Sequence, residues 1–215
     1  MNRKIQNLQR KRVAIGLPQA SSFDIMANSA IDKLIVPDGV ETEIIRVDGY
    51  GIANARNKIR QVVLDNNLDY VFFIDSDIIV PNNILAKLLA LDADIATGIY
   101  VKKAMPTVTE LYNWSLDKTK IVPVLLAEMS TIKNPVELAA CGFGATLIKR
   151  QVLEKIRFKW EEVASFNSNA TTYESEDLQF CVDARKYDFK IVVDPELLCG
   201  HIHKVILPQQ NNKQG

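Results

Sequence analysis

Short apolar runs alternate with amphipathic segments along most of the chain. The runs of strand length cover residues 13–17, 43–47, 69–74, 95–101, 137–148 and 190–193, and the helical patterns cover 54–64, 81–91, 151–156 and 174–186. The run at 137–148 is predicted as a strand with an interruption at Gly142–Gly144. Pro18 is expected to end the first strand, because proline lacks the N–H that a sheet uses. The run at 69–74 is apolar from Tyr70 onward, which predicts a strand buried on both faces. This order predicts an α/β fold in which helices flank a mixed, mostly parallel sheet in a single domain.

Two stretches show neither the apolar runs of strands nor the amphipathic pattern of helices. Residues 102–120 are irregular and contain Tyr112 and Trp114. Aromatic rings in such a segment either pack against the core or stack on a bound ligand, and the sequence leaves both open. Residues 159–173 are polar and long for a connection within a compact domain, which favours a mobile functional loop.

The two ends of the chain differ from its middle. Residues 1–11 are rich in Arg and Lys and predict a basic arm, since the apolar stretch that follows is too short for a signal peptide. Residues 208–215 are polar and predict a tail, or a linker into further C-terminal domains. The domain itself is expected at 12–207. No apolar run approaches about 18 residues, so we expect no transmembrane segment.

Composition narrows the classes of partner and compartment. The chain has 215 residues, 47% of them hydrophobic, and its 26 basic side chains balance 26 acidic ones. A nucleic-acid-binding chain is normally strongly basic, so we expect no nucleic-acid partner. The cysteines, Cys141, Cys181 and Cys199, are odd in number and form no CxxC motif. Free thiols of this kind are typical of a reducing compartment, which predicts a soluble cytoplasmic protein.

Two carboxylates directly follow the apolar run at 69–74. Asp75 and Asp77 are two residues apart, so in an extended chain their side chains point to the same side. They would lie just past the carboxyl end of a strand, where open α/β sheets bind their ligands. Neighbouring carboxylates repel each other unless a cation neutralises them, and oxygen ligands suit Mn²⁺ or Mg²⁺. The pair therefore indicates a metal that handles a diphosphate, although an Asp-rich turn that caps the next helix has the same pattern.

Both histidines of the chain lie in one short segment near its end. Cys199, His201 and His203 would share one face of an extended run. A thiolate and two imidazoles are zinc ligands, so a Zn²⁺ site is one interpretation, but no fourth ligand is evident. In the other interpretation, a neutral His201 helps Asp77 to hold Mn²⁺, and His203 lies on the surface.

Several motifs follow one another in a definite order. They are Gly51-Ile-Ala-Asn-Ala-Arg-Asn57, Phe72-Phe-Ile-Asp-Ser-Asp77, Cys141-Gly-Phe-Gly144, Glu176-Asp177 and Cys199-Gly-His201. Together they resemble the GT-A glycosyltransferases, especially the family-2-like members with a DxD motif, and the resemblance spans residues 12 to 203. It implies a GT-A-type fold and a metal-dependent transferase. A compact domain of this kind also resembles those of multidomain viral glycosylation proteins.

The resemblance assigns roles to the matching positions. The nucleotide would contact Gly16, Leu17, Pro18, Arg56, Asn57, Asp75 and Ser76, the donor sugar or the acceptor would approach Gly142, Phe143 and Gly144, and Asp75, Asp77 and His201 would hold the metal. Two of these assignments have a structural alternative. Arg56 would also serve as an ion-pair partner of Asp75, and the Gly-Phe-Gly segment would also form a β-bulge without a ligand.

The pair Glu176-Asp177 matches the acidic pair of the family. The resemblance implies that Asp177 is the general base that removes the proton of an acceptor hydroxyl, with Glu176 as the second candidate. A carboxylate at a helix N-terminus stays ionised, as a base must be before the reaction. The same position also suits an acidic capping cluster without a catalytic role.

The function implied by the resemblance is sugar transfer from a nucleoside-diphosphate sugar, UDP-hexose foremost, to a hydroxyl of a glycan or glycoprotein. Inversion is favoured, although retaining enzymes share this fold. The family has an Asp-rich segment where this chain has only Asp48-Gly49-Tyr50, which leaves the contact with the nucleotide base open. One alternative is a sugar-nucleotide pyrophosphorylase, whose Gly-rich basic loop is missing after residue 17. The other is a non-catalytic module that binds nucleotide sugars.

Overall fold

The structure is a computed structural model, and it describes residues 10–19, 24–103, 105–159 and 175–203. Residues 1–9 of the predicted basic arm, residues 160–173 of the predicted loop and the whole segment 208–215 lie outside the described residues. The domain boundaries at 12 and 207 therefore stay a prediction.

The described residues form twelve strands and six helices. The strands are β1 (Lys11–Gln19), β2 (Val40–Asp48), β3 (Tyr70–Ile74), β4 (Ile78–Ile79), β5 (Ile95–Ile99), β6 (Val108–Trp114), β7 (Ile121–Leu125), β8 (Val136–Leu138), β9 (Ala140–Cys141), β10 (Ala145–Lys149), β11 (Ile191–Leu198) and β12 (Gly200–His201). The helices are α1 (Ile25–Asp32), α2 (Ile52–Asp65), α3 (Ile84–Ala90), α4 (Leu126–Met129), α5 (Arg150–Lys155) and α6 (Glu176–Arg185).

A seven-stranded sheet forms the centre of the domain, in the order β2-β1-β3-β10-β5-β11-β8. Strand β1 runs parallel to β2 and β3, and β11 runs parallel to β5. Strands β10 and β8 run against their neighbours. Five of the seven strands thus point the same way, which confirms the predicted α/β class with a mixed, mostly parallel sheet in a single domain.

Strand β3 separates the two halves of the core. All five of its residues are buried, which confirms the prediction of a strand covered on both faces. Val71 and Phe73 face a cluster that includes apolar side chains of α2, α5 and α6. Phe72 and Ile74 face a second cluster with side chains of α1 and α3. The alternation follows from the two-residue period of a strand, and it gives the sheet a helical layer on each face.

Three predictions about the elements are wrong. The run at 137–148 is not a single strand interrupted only at Gly142–Gly144: it contains β8, β9 and β10, of which β9 belongs to a small sheet with β6 and β7. Residues 102–120 are not wholly irregular, because they include β6. Strand β1 also continues past Pro18 to Gln19. At Pro18 the strand is paired with β2 alone, so one side of the residue makes no ladder and its missing N–H is tolerated.

Candidate active site

A cleft of about 510 Å³ opens where β3, β5 and β11 end. It is lined by Asp75, Asp77, Ile78, Tyr100, Lys102, Lys103, Glu110, Tyr112, Ser175, Asp177, Leu178 and His201. The carboxyl edge of parallel strands is the usual place for a ligand in an open α/β sheet. The short pairing of β12 with β4 sets His201 opposite Ile78 and so brings His201 beside Asp77.

Asp75 is fixed at the bottom of this cleft by its backbone and by its side chain. Its N–H donates to the carbonyl of Gly144 at 3.0 Å. Its carboxylate accepts from the Arg56 guanidinium at 3.0 and 3.3 Å. Burial raises the pKa of Asp75, and the positive charge of Arg56 opposes that rise. The structural alternative for Arg56, an ion pair with Asp75, is therefore present in the fold.

Arg56 lies beneath the cleft and is only 2% exposed. Its other terminal nitrogen donates to the Glu176 carboxylate. Burial alone would lower the pKa of Arg56, but the carboxylates around it outweigh burial and raise that pKa, so the guanidinium stays charged. Its carbon also lies 5.7–5.9 Å from the ring centres of Phe73, Phe143 and Phe158. Because Arg56 is enclosed by these partners, it supports the site from below and is out of reach of a ligand in the cleft.

Asp77 is open to the cleft, with 32% of its side chain exposed. It forms an ion pair with Lys103, and its Oδ1 lies 3.6 Å from Nε2 of His201. Burial would raise the pKa of Asp77, but hydrogen bonds with His201 and Lys103 outweigh it and lower that pKa to about 2. Asp77 is therefore an anion at neutral pH.

His201 presents one particular nitrogen to Asp77. Its Nδ1 lies 2.6 Å from the carbonyl of Val101 and can only donate to that oxygen. Burial would lower the pKa of His201, but its hydrogen bond with Asp77 outweighs burial and raises that pKa, so this hydrogen bond belongs to the protonated ring. In the neutral ring, which a metal requires, Nε2 is the atom with the lone pair. The ring also packs edge-on against Tyr100, with centroids 5.5 Å apart. A backbone acceptor behind the ring is the arrangement that orients metal-binding histidines.

The donor set of this cleft fits Mn²⁺ or Mg²⁺ at a substrate site. Bonds to such ions are about 2.1 Å long, so two ligand atoms 3.6 Å apart can reach one ion. Among the described residues, no group of three or more His, Cys, Asp and Glu side chains is arranged to hold a metal. Two protein ligands suit an ion that takes its remaining oxygens from water and substrate phosphates. Asp75 lines the same cleft, with 31% of its side chain exposed, and its carboxylate is paired with Arg56.

The two acidic residues at the start of α6 lie in different surroundings, one buried against Arg56 and the other in the cleft. Glu176 is 6% exposed and paired with Arg56, and burial raises its pKa. Asp177 lines the cleft, and its Oδ1 accepts from the N–H of Leu178 at 2.8 Å and from the Ser175 hydroxyl. Its Oδ2 points towards Gly142, where an added methyl group would lie 3.4 Å away. The structure thus places Asp177, and not Glu176, in the lining of the cleft.

The Gly142–Gly144 segment lies against Tyr100. A Cβ on Gly144 would come within 2.9 Å of the Tyr100 hydroxyl, and one on Gly142 would collide with the same oxygen. The Gly144 N–H donates to that hydroxyl at 2.9 Å. Glycine is needed here because the backbone approaches the tyrosine too closely for any side chain. Burial, together with Asp75 and Asp177, raises the pKa of Tyr100, which keeps its hydroxyl neutral.

Other residues predicted to contact the nucleotide, the sugar or the acceptor are buried or half-buried in the fold. Gly16, Leu17 and Pro18 are all buried on β1, and a Cβ on Gly16 would come within 3.0 Å of side chains of α2 and β3. Asn57 exchanges two hydrogen bonds, of 2.7 and 2.9 Å, with the backbone of Phe158. Phe143 is fully buried. None of these side chains is among those that line the cleft within the described part of the chain.

Ser76 is half-buried between the two carboxylates. Its carbonyl accepts from the N–H of Asp24 at 2.9 Å, so the turn that carries Asp75 and Asp77 is tied to the start of α1. Ser76 is not among the residues that line the cleft.

Sequence reasoning missed Tyr100, Lys102, Lys103 and Glu110. Tyr100 and both lysines follow the end of β5, the strand beside β10 in the sheet. The rule that ligands lie at the ends of parallel strands could have singled them out. Glu110 lies on β6, within the stretch that the sequence pattern predicts to be irregular. Tyr112 lines the cleft and is 3% exposed, whereas Trp114 does not line it.

The zinc interpretation receives no support. Burial raises the pKa of Cys199 to about 12, which opposes the thiolate that zinc requires. The sulfur lies close to Gly98, where an added Cβ would be 2.8 Å away. His203 is exposed.

The fold has known counterparts, and it is a GT-A-like fold. The crystal structure titled "A197 from STIV" matches with a TM-score of 0.53 and 18% identity over 93% of this chain and 97% of that one. The crystal structure of GalNAc-T7 with UDP, GalNAc and Mn²⁺ matches with a TM-score of 0.58 and 13% identity. That match covers 93% of this chain and 45% of the GalNAc-T7 chain. At such identities the likeness shows the fold alone. No protein-family model and no curated protein sequence matches the chain.

None of the helices in the described part of the chain combines the length and the apolar character that crossing a membrane requires.

Proposed function

We propose that the chain is a metal-dependent glycosyltransferase that moves a sugar, a hexose, from a UDP-sugar to a hydroxyl of a glycan or glycoprotein. The observation that carries this proposal is the pair Asp77 and His201. A carboxylate and an imidazole, the latter oriented by a backbone carbonyl, face each other at 3.6 Å in a cleft at the carboxyl edge of the sheet. The GT-A-like fold supports the proposal, since GalNAc-T7, which shares that fold, was crystallised with UDP, GalNAc and Mn²⁺.

The carboxylate of Asp77 and Nε2 of His201 are the groups that would hold the ion. A bound Mn²⁺ or Mg²⁺ supplies positive charge to the diphosphate and stabilises the negative charge that builds up on the leaving group. Asp75 acts indirectly in this proposal. Its carboxylate accepts a hydrogen bond from Arg56, which fixes the turn that carries Asp77. Arg56 itself does not contact the nucleotide in this account, because it is buried below the cleft.

Asp177 is the proposed general base. Its Oδ2 would accept the proton of the acceptor hydroxyl while the hydroxyl oxygen forms a bond to the anomeric carbon. The bond between that carbon and the diphosphate oxygen breaks, and the nucleoside diphosphate leaves with the bonding electrons. The hydrogen bonds that Ser175 and Leu178 donate to Oδ1 hold the carboxylate in place and favour its ionised form. Attack from the side opposite the leaving group gives inversion.

Thermal unfolding with a panel of nucleotides tests the binding half of the proposal. UDP, GDP, CMP and TDP are each added with Mn²⁺ or with chelator. A ligand at about 100 times its Kd adds about 2.7 kcal/mol of stability, which corresponds to about 5–10 °C for a domain of this size. We expect a shift with UDP that requires Mn²⁺. Shifts that are the same with chelator, or that no nucleotide produces, would contradict the metal-dependent donor site.

Release of UDP from UDP-hexoses then separates an enzyme from a binding module. The enzyme is expected to release UDP with Mn²⁺ present, slowly to water and faster once an acceptor is supplied. A module that only binds nucleotide sugars would show the thermal shift without any release. Detection of UTP formed from UDP-hexose and pyrophosphate would instead indicate a pyrophosphorylase.

A further inference from the structure

The two carboxylates of the Asp75-Ser76-Asp77 turn are paired with cations that differ in their exposure to solvent. Asp75 is paired with Arg56, whose side chain is 2% exposed and enclosed by aromatic rings. Asp77 is paired with Lys103, whose side chain is 44% exposed. Exposed ion pairs contribute little net free energy and break easily, whereas a buried pair cannot be opened without a large loss. The cation on Asp77 is therefore replaceable, and the cation on Asp75 is not.

The neighbouring lysine is directed to a different carboxylate. Lys102 Nζ lies 3.9 Å from Oε2 of Glu110, and 5.0 Å from the ring centre of Tyr112. Tyr112 donates to the same carboxylate at 2.7 Å. Two adjacent lysines at the end of β5 thus serve two different carboxylates of one cleft, and Lys103 is the one that lies on the proposed metal ligand.

We propose that Lys103 is an exchangeable cation of this site: it neutralises Asp77 until a divalent ion binds there, and then neutralises the diphosphate of the nucleotide sugar. The inference rests on the proposed function, since that function places the ion on Asp77. A lysine suits this exchange because its ammonium is a compact charge on a flexible four-carbon stem. The ammonium leaves Asp77 at the same place where the diphosphate arrives, so its new partner is within reach.

The exchange makes binding of metal and nucleotide cooperative. A divalent ion without nucleotide has to displace Lys103 and leaves the ammonium without an anion. A diphosphate without the ion meets the carboxylates of Asp77 and Asp177 in the cleft. When both bind, every charge has a partner. Two ligands that each remove the obstacle to the other bind with positive cooperativity, which is a negative (favourable) coupling free energy.

The first half of the proposal, that Lys103 covers Asp77 until a divalent ion binds, is tested by the affinity for Mn²⁺ without nucleotide. The electron paramagnetic resonance signal of free Mn²⁺ measures that affinity. Lys103→Gln is expected to bind Mn²⁺ about 10-fold more tightly than the wild-type protein, because Asp77 is then uncovered. Lys102→Gln is the matched control: it removes the same charge from the same cleft and leaves Lys103 on Asp77. We expect it to change Mn²⁺ affinity less than about 3-fold. Both lysines are at least partly exposed, so both variants are expected to fold.

Binding of UDP at saturating Mn²⁺ tests the second half. Lys103→Gln is expected to bind UDP about 10-fold more weakly than the wild-type protein, since a charge-assisted bond to phosphate is lost. Lys87→Gln, a surface lysine that is paired with Glu196, is expected to leave UDP affinity unchanged. Unchanged UDP affinity in Lys103→Gln would overturn the transfer of the ammonium to the diphosphate.

The outcomes separate this inference from the proposed function. Equal Mn²⁺ affinities in Lys103→Gln and Lys102→Gln would overturn the role of Lys103 and leave the donor site intact. Wild-type protein that binds Mn²⁺ but none of UDP, GDP, CDP and TDP would overturn the proposed function. Tighter Mn²⁺ binding together with weaker UDP binding in Lys103→Gln supports the exchange.

Discussion

Arg56 and Glu176 form a buried ion pair between two elements that lie 120 residues apart in the sequence. The same guanidinium binds Asp75. One side chain of α2 therefore ties the end of β3, where the proposed metal site begins, to the first turn of α6, where the proposed base lies. The two halves of the candidate active site share this support, so their relative position depends on Arg56.

Replacement of Arg56 by Met is expected to destabilise the fold severely. The change leaves the buried Glu176 and the partly buried Asp75 without a cation, and removal of one partner of a buried pair costs about 3–5 kcal/mol. Urea unfolding measures the loss. Lys87→Met, which removes an exposed pair with Glu196, is expected to cost less than about 1 kcal/mol. Equal losses in the two variants would show that Arg56 is not the support described here.

His201→Gln is expected to lower Mn²⁺ affinity at least about 10-fold, because it removes Nε2 from the proposed ion site. His203 is two residues away and exposed, so His203→Gln removes the other imidazole of the chain without touching the cleft. Calorimetric titration of Mn²⁺ in the presence of UDP compares the two variants. If both lose the same affinity, the assignment of His201 is wrong.

Asp177→Asn is expected to bind UDP and Mn²⁺ like the wild-type protein and to lose at least about 100-fold in transfer rate, since the amide cannot accept the proton. Glu176→Gln tests the other acidic residue. It removes a charge from the buried pair with Arg56, so we expect lower stability together with a transfer rate that falls less than in Asp177→Asn. Normal transfer by Asp177→Asn would contradict its role as the base.

Asp183 gives the fold a stability contribution that depends on pH. Burial would raise the pKa of Asp183, but hydrogen bonds with Lys186 and Lys159 outweigh it and lower that pKa. The contribution is therefore complete above the unfolded-state value of about 3.9, and it is lost as the pH falls through the lower folded-state value. Asp183→Asn should be less stable than the wild-type protein at about pH 7, and the gap should narrow below about pH 4. A gap that widens in acid would contradict the lowered pKa.

Gly142→Ala is expected to disturb the site from the backbone side. The new methyl group would collide with the Tyr100 hydroxyl and lie 3.4 Å from Oδ2 of Asp177. Such overpacking typically costs about 1–3 kcal/mol, and we expect transfer to fall with it. Gly51→Ala is the control, because nothing lies within 4 Å of its added methyl group. Its unfolding free energy should change by no more than about 1 kcal/mol. Equal effects in both variants would exclude a specific collision.

The sequence predicted the sheet best where the apolar pattern was continuous. Strand β3 and the turn with Asp75 and Asp77 follow directly from such a run. The division of residues 137–148 into three strands could not be read in this way, because an apolar run does not tell which sheet its residues join. The continuation of β1 past Pro18 depends on pairing with a single neighbour, which is a property of the folded sheet.

The limits of the sequence are clearest at Arg56. The sequence offers Arg56 as a cation for an anionic ligand, and nothing in the sequence shows that aromatic rings cover its guanidinium. Burial depends on Phe143 and Phe158, which lie far from Arg56 along the chain. The different surroundings of Glu176 and Asp177 likewise follow from the start of α6, where successive side chains point about 100° apart. Lys103 belongs to none of the sequence motifs. It lines the cleft because it follows the end of β5.

Calorimetric titration of UDP, with GDP, CDP and TDP in parallel, tests whether the cleft is a donor site that depends on a metal ion. Wild-type protein is titrated with Mn²⁺ and with chelator, and Asp77→Asn is titrated with Mn²⁺. We expect UDP to bind wild-type protein with Mn²⁺, and its affinity to fall at least about 100-fold when either the ion or the Asp77 carboxylate is removed. Nucleotide binding that persists with chelator, or in Asp77→Asn, would contradict a metal-bridged donor site in this cleft.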